Sequence, residues 1–250
     1  MQIEFQTSVG RKRKNNQDTV GVYKNKYQIT LAIVADGMGG HQAGDTASYL
    51  AVTGLGDVWE ETMLTQKEEV CEWLIQHIQE ENARIFDKGS THPEMFGMGT
   101  TIVAVVILEK EVILAHVGDS RAYIVRNEEM KQLTDDHSLV NELIKTGEIS
   151  VEMAQNHPKK NILVRSIGVP GEVEVDMSTV ERQAKDIFLL CSDGLTNMLS
   201  NDEIKDILLE NASLKERVNR LIEEANAAGG TDNITVLLID FDDELQEDTP

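Results

Sequence analysis

The sequence predicts an α+β fold of layered, mostly antiparallel sheets. Three observations carry that prediction: strand-sized apolar runs come in groups, helical periodicity is confined to the segments between groups, and no regular strand–helix–strand alternation runs through the chain. At 250 residues, with no long Pro/Gly/Ser-rich linker, the chain can bury one large core, and a single domain is expected.

Residues 3–9, 19–23 and 29–35 read as strands, with Lys24-Asn25-Lys26 as the turn between the last two. A helix is expected over 46–60. A second, over 67–86, is marked by Val70, Leu74, Ile78 and Ile85 at helical spacing with charge on the opposite face. Residues 99–108, 112–117 and 122–126 return to strand character, and Glu109-Lys110-Glu111 makes a hairpin turn. From 135 to 158 the pattern turns short and polar, with Leu139, Leu143 and Ile144 on one helical side, as in a surface subdomain inserted between strands. Strands resume over 162–165, 172–179 and 186–191. A helix over 214–227 precedes the last strand, 233–241.

The net charge is −21, from 44 acidic and 23 basic residues. That balance argues against nucleic-acid binding, which needs a basic face to neutralise phosphates. The longest apolar runs fall far short of the roughly 20 residues of a membrane span, so no membrane insertion is expected. Residues 1–6 carry no basic-then-apolar signal, and a cytoplasmic monomer is the expectation. Cys71 and Cys191 read as buried structural thiols.

Some acidic residues stand where surface charge does not belong. Asp36 ends the run from Leu31 to Ala35 and opens Asp36-Gly37-Met38-Gly39-Gly40. Asp119 follows Ile113 to Val117, Asp193 follows Phe188 to Ser192, and Asp232 and Asp18 each open a strand. Any one of them alone reads as a strand-end turn. Five together point to one site. Carboxylates gathered there repel unless cations compensate, and oxygen-only donors suit Mg²⁺ or Mn²⁺ better than Zn²⁺. Two such ions activate water and stabilise charge on attacking and leaving oxygens, which fits phosphate ester hydrolysis.

Arg11-Lys12-Arg13-Lys14 is the densest basic run in this acidic chain, and beside a metal cluster an arginine can clamp a phosphoryl group. Other motifs fail. The third glycine of a dinucleotide loop would fall on Gln42, there is no P-loop or His-Glu-x-x-His, and neither cysteine has arginine six positions on.

In their order and spacing, the segments Arg13 to Asp18, Asp36 to Gly44, Gly99-Thr100-Thr101, Gly118 to Arg121, Leu133 to His137, Arg165 to Gly168, Ser192-Asp193-Gly194 and Gly230 to Asn233 resemble the metal-dependent protein phosphatases, often called PP2C-type, in their bacterial branch. The resemblance implies a four-layer αββα sandwich over 1–241, with a flap at about 137–161 and an acidic tail over 242–250. It also implies that Asp36 bridges two Mn²⁺ or Mg²⁺ ions, that the Gly37 carbonyl ligates one of them, and that Asp193 and Asp232 complete the second site. Asp119, with Asp193, would hold a third ion, Asp18 a water of the site, and Arg13 the substrate phosphate. The implied activity is removal of phosphate from serine and threonine of phosphorylated proteins by direct attack of metal-activated water, opposing a serine/threonine kinase. Two alternatives stand beside it: a same-fold enzyme for a small phosphoester, and a catalytically inactive regulatory domain. Two positions depart from the family pattern. Gln17 stands where many relatives have Glu, and Met38 where eukaryotic relatives have a histidine proposed as general acid, a part for which His41 is the nearby candidate.

Overall fold

A computed structural model describes residues 1–40, 43–155 and 157–241. The chain opens with β1 (Gln2–Ser8), β2 (Asp18–Lys24) and β3 (Thr30–Met38). The side chain of Asn25 closes the β2–β3 turn, accepting from the Tyr27 and Ile29 amides at 2.9 Å each. Helices α1 (Ala43–Glu60) and α2 (Lys67–Thr91) follow. Next come β4 (Gly99–Thr100), β5 (Ile102–Ile107), β6 (Glu111–Val117), β7 (Arg121–Arg126) and β8 (Glu129–Gln132). The flap holds α3 (Leu139–Lys145) and α4 (Val151–Gln155). The remainder is β9 (Asp176–Glu181), β10 (Ile187–Cys191), α5 (Asp193–Thr196), α6 (Asn201–Leu208), α7 (Leu214–Ala227) and β11 (Ile234–Asp240).

These strands form two sheets, ordered β1-β11-β10-β7-β8 and β2-β3-β5-β6-β9, with β4 paired to β3; the strand pairs are antiparallel. Alternation along each strand supplies two apolar faces, and the structure uses both. Val34, Val103 and Leu114 of one sheet meet Phe188, Leu190 and Leu237 of the other between the layers. Outward-facing Leu31, Ile33 and Ala104 pack under α1 and α2 with Leu55, Trp59 and Leu74. On the far side, Leu189, Val236 and Leu238 pack under α6 and α7 with Ile204, Val218 and Leu221. The result is the expected four-layer helix–sheet–sheet–helix sandwich.

The expectations fail in particular places. Residues 162–165 are not a strand: Leu163 makes one isolated bridge to Ser138, while Arg165 turns away to pair with Asp176 and Glu174. The strand expected over 172–179 begins only at Asp176, because the Val173 amide and carbonyl are taken by the Gln79 side chain of α2. Helix α1 starts at Ala43, three residues early, and α2 runs on to Thr91. Strand β8 and helices α5 and α6 were not anticipated, although α6 carries a capping box, Ser200 with Glu203, as α7 does with Ser213 and Glu216. The apolar side of α3 is only half-buried.

The segment leaving the flap is pinned from a distance. Buried Asn82 of α2 accepts from the Gly168 and Val169 amides and donates to the Val169 and Gly171 carbonyls, at 2.8 to 3.1 Å. Asn82→Leu strands those backbone groups. The expected loss is about 3 kcal/mol, or about 10 °C in melting temperature for a chain of this size, read by calorimetry.

Candidate active site

The carboxylates of the sequence motifs come together at one end of the sandwich. Asp18 and Asp36 stand opposite each other in the β2–β3 ladder, a register in which like charges repel. Asp18 Oδ2 accepts from the hydroxyls of Ser192 and Thr235, both at 2.7 Å. Its Oδ1 is buried without a partner, and so is Asp193 Oδ1. Asp193 opens α5 directly after β10, lies within interaction range of Asp36, and accepts from Asn197 at 2.9 Å. Asp232, just ahead of β11, accepts from Arg13 at 2.7 Å through Oδ2 and from the Asn233 amide at 2.8 Å through Oδ1.

Asp119 lies in the β6–β7 turn, which Thr101 ties to Asp36. The Thr101 amide donates to the Asp36 carbonyl, the Asp36 amide donates to Thr101 Oγ1, and that hydroxyl meets Ser120 Oγ at 2.7 Å. Gly118 has φ +109°, and a Cβ there would sit 2.6 Å from Thr101 Cγ2, so only glycine permits the turn. At Gly37 a Cβ would fall 2.0 Å from the Gly44 carbonyl oxygen. Bare backbone is required where β3 meets the start of α1.

The electrostatics follow from this crowding. Enclosure in protein, with carboxylates at close range, holds Asp36 well above its ordinary range; Asp18, Asp193, Asp119 and Asp232 all contribute. Asp18 is pushed up to about 7, mainly by burial, and Asp119 to about 8, by burial and then by Asp193 and Asp136. Asp193 is also raised, by burial first and then by Asp232. A cluster this costly calls for cations. Two buried carboxylate oxygens lacking any partner, in a donor set made only of oxygen, fit hard divalent ions.

The basic rim is held from the opposite loop. Arg11 and Lys12 donate their amides to the Gly230 carbonyl, and Asn233 bonds the Val9 and Asn15 carbonyls and the Gln17 amide. Arg13 thereby stays half-exposed beside Asp232. Arg13, Lys14, Asn15, Gln17 and Gly39 line a cavity of about 200 Å³. Sequence reasoning missed the supporting hydroxyls of Ser192 and Thr235, though a threonine inside the apolar run 234–239 was a visible signal. His41 lies outside the described residues. Met38 ends β3 half-buried.

Among the described residues, the group of three whose ligand atoms all fall within 4.8 Å is a different one: His116, His137 and Asp176. Among the described residues, no three of the aspartates meet that spacing. The histidine group already has its cation, since Arg165 Nη1 lies 3.2 Å from His137 Nε2 and 2.5 Å from Asp176 Oδ1.

A carboxylate cluster suited to hard cations, with a guanidinium at its rim, defines the class as metal-dependent phosphohydrolase. The family model described as protein phosphatase 2C matches residues 6–237. A serine/threonine phosphatase, stp, of Listeria welshimeri is 52% identical over 241 residues, 96% of each chain. The solved S. agalactiae serine/threonine phosphatase superposes with a TM-score of 0.92 at 46% identity, covering 95% of this chain and 98% of its own. The catalytic domain of the phosphatase PstP, solved in complex with two manganese ions, gives 0.85 at 33% identity over 96% and 97%. The chain belongs to the protein phosphatase 2C family, whose members are metal-dependent.

Proposed function

We propose that the chain is a protein serine/threonine phosphatase that hydrolyses phosphoserine and phosphothreonine in phosphorylated proteins by direct attack of an activated water on phosphorus. The observation that supports this most is the gathering of Asp36, Asp193 and Asp232, with an orphaned carboxylate oxygen among them, beside the half-exposed Arg13. Divalent ions bound there lower the pKa of a water and neutralise charge on the phosphoryl oxygens. In this reading Asp36, the Gly37 carbonyl, Asp193 and Asp232 would hold two Mn²⁺ or Mg²⁺ ions, Asp36 shared between them, and Asp119 with Asp193 would hold a third.

The chain's own groups set the geometry. Arg13 exchanges the Asp232 carboxylate for the phosphoryl group, a ligand of the same sign that its planar fork can grip. Asp18, fixed through Oδ2 by Ser192 and Thr235, has Oδ1 left to accept a hydrogen bond from the attacking water. His41, as proton donor to the leaving oxygen, rests on its sequence position alone.

The phosphatase domain is read as 1–241 with a flap at about 137–161, and the acidic tail 242–250 lies outside the described residues. None of its described helices is long and apolar enough to cross a membrane. The setting proposed is a bacterial cell, as for the Listeria and S. agalactiae phosphatases the chain resembles, with the chain acting there as a cytoplasmic monomer that opposes a serine/threonine kinase. The test is phosphate release from a phosphothreonine peptide with Mn²⁺. Activity is expected to exceed that on a free phosphorylated metabolite in kcat/KM and to vanish in EDTA. Turnover that survives both EDTA and Asp36→Ala overturns the reading.

A further inference from the structure

His137 lies at the first residue of the flap, and both its backbone and its ring reach the turn that carries Asp119. Its amide donates to the Gly118 carbonyl at 2.9 Å, and the Gly118 amide donates back to its Nδ1 at 3.1 Å. The ring is 2% exposed and stacks on His116 with centroids 4.6 Å apart. Because Nδ1 accepts, the neutral ring carries its proton on Nε2, which faces Asp176 Oδ2 at 3.3 Å; Arg165 Nη1, 3.2 Å from Nε2, then donates to Asp176 and not to the ring. Arg165 anchors Asp176, and the His137 carbonyl accepts from the Val164 amide at 2.9 Å. Ser138 bridges Leu163, and the Leu139 amide donates to the Ile162 carbonyl, so both ends of the flap close at this point. His116, whose Nε2 is engaged by the Asp135 carbonyl, faces Asp176 across the β6–β9 register.

We propose that His137 is a positioning residue. Its imidazole, locked in one tautomer by Asp176, holds the Gly118 amide and so couples the placement of Asp119 to the two ends of the flap. The Asp176–His137–Gly118 chain is an outer-shell relay of the kind that orients a ligand it never touches. Gly118 has no side chain to steady its turn, and the reciprocal pair with His137 supplies that constraint. The inference rests on the reading of Asp119 as an ion ligand.

Two substitutions separate the ring's two nitrogens. In His137→Asn the amide oxygen can stand where Nδ1 stood, keeping the acceptor for Gly118. In His137→Gln the amide reaches Asp176 and leaves the Gly118 amide unpaired. The measurement is Mn²⁺ binding to the intact chain by titration calorimetry, with melting temperature as the folding control. His137→Gln is expected to weaken the ion that Asp119→Asn removes by about tenfold or more, with His137→Asn closer to the unaltered chain. Asp176→Asn, at a half-exposed strand position and with its melting temperature as the same control, is expected to weaken the same ion. Long-range proton–nitrogen NMR on the imidazole reads the tautomer directly. If Asp119→Asn binds as many ions as the unaltered chain, the ligand reading fails. If Asp119→Asn loses an ion while His137→Gln and Asp176→Asn bind it with unchanged affinity, the positioning role fails. A ring protonated at Nδ1 overturns it as well.

Discussion

Asp36→Asn is expected to cut turnover on a phosphothreonine peptide by on the order of 10³-fold or more and, in EDTA, to raise the melting temperature. The two effects have one cause. Without cations, Asp36 faces Asp18 across the ladder and lies within repulsive range of Asp193, Asp119 and Asp232. A neutral amide of the same shape keeps the Thr101 contacts, which use the Asp36 backbone, and removes the charge. The same change deletes the carboxylate that would bridge two ions, so Mn²⁺ should stabilise the variant far less than the unaltered chain. Paired melts with and without Mn²⁺, beside phosphate release, check this. An unchanged turnover, or a variant that melts lower in EDTA, contradicts it.

The second large effect concerns pH and metal removal. Asp18 and Asp119 are raised from 3.8 to about 7 and about 8, by burial above all. In the unfolded chain both return to the ordinary carboxylate range, so between those limits the folded state binds protons that the unfolded state does not. The stability they contribute is full below about 4 and is lost as pH rises through their folded values. In EDTA the melting temperature should therefore climb as pH falls from 8.5 to 6.5, by on the order of 5 °C. His137, lowered from its ordinary value chiefly by burial, works the other way, but only as pH falls through 6.5 and below. Saturating Mn²⁺ should flatten the climb, because cations then do what protons did. An EDTA melting curve that is level, or that falls toward pH 6.5, contradicts this.

Much of the site was legible because Asp36, Asp119 and Asp193 stand at the ends of apolar runs, while Asp18 and Asp232 stand at the start of others. The runs 31–35 and 187–191 could only be buried strands, and an ionisable group at their mouths had no structural reason to be there. What stayed hidden depended on which distant segments become neighbours. The Asp18–Asp36 register, the hydroxyls of Ser192 and Thr235 on Asp18, and the three bonds by which Asn233 lays the Arg13 loop down all require the sheets to be paired first. The flap's exit misled for the same reason. Residues 162–165 and 172–175 have a strand's composition, but Arg165 turns away to Asp176, and Gln79, some 90 positions earlier, takes the Val173 backbone bonds that a neighbouring strand would have used. Local pattern also understated α6, whose eight residues hold barely two turns of periodicity.

The aspartates at 18, 36, 119, 193 and 232 come from segments spread across nearly the whole chain and from both sheets. No autonomous piece of the protein contains the site. During synthesis the chain therefore stays inert until its last strand, β11, threads between β1 and β10, and no half-made product can strip phosphate indiscriminately. On heating, hydrolytic power and tertiary structure should disappear together, which makes catalysis itself a gauge of whether this molecule is whole.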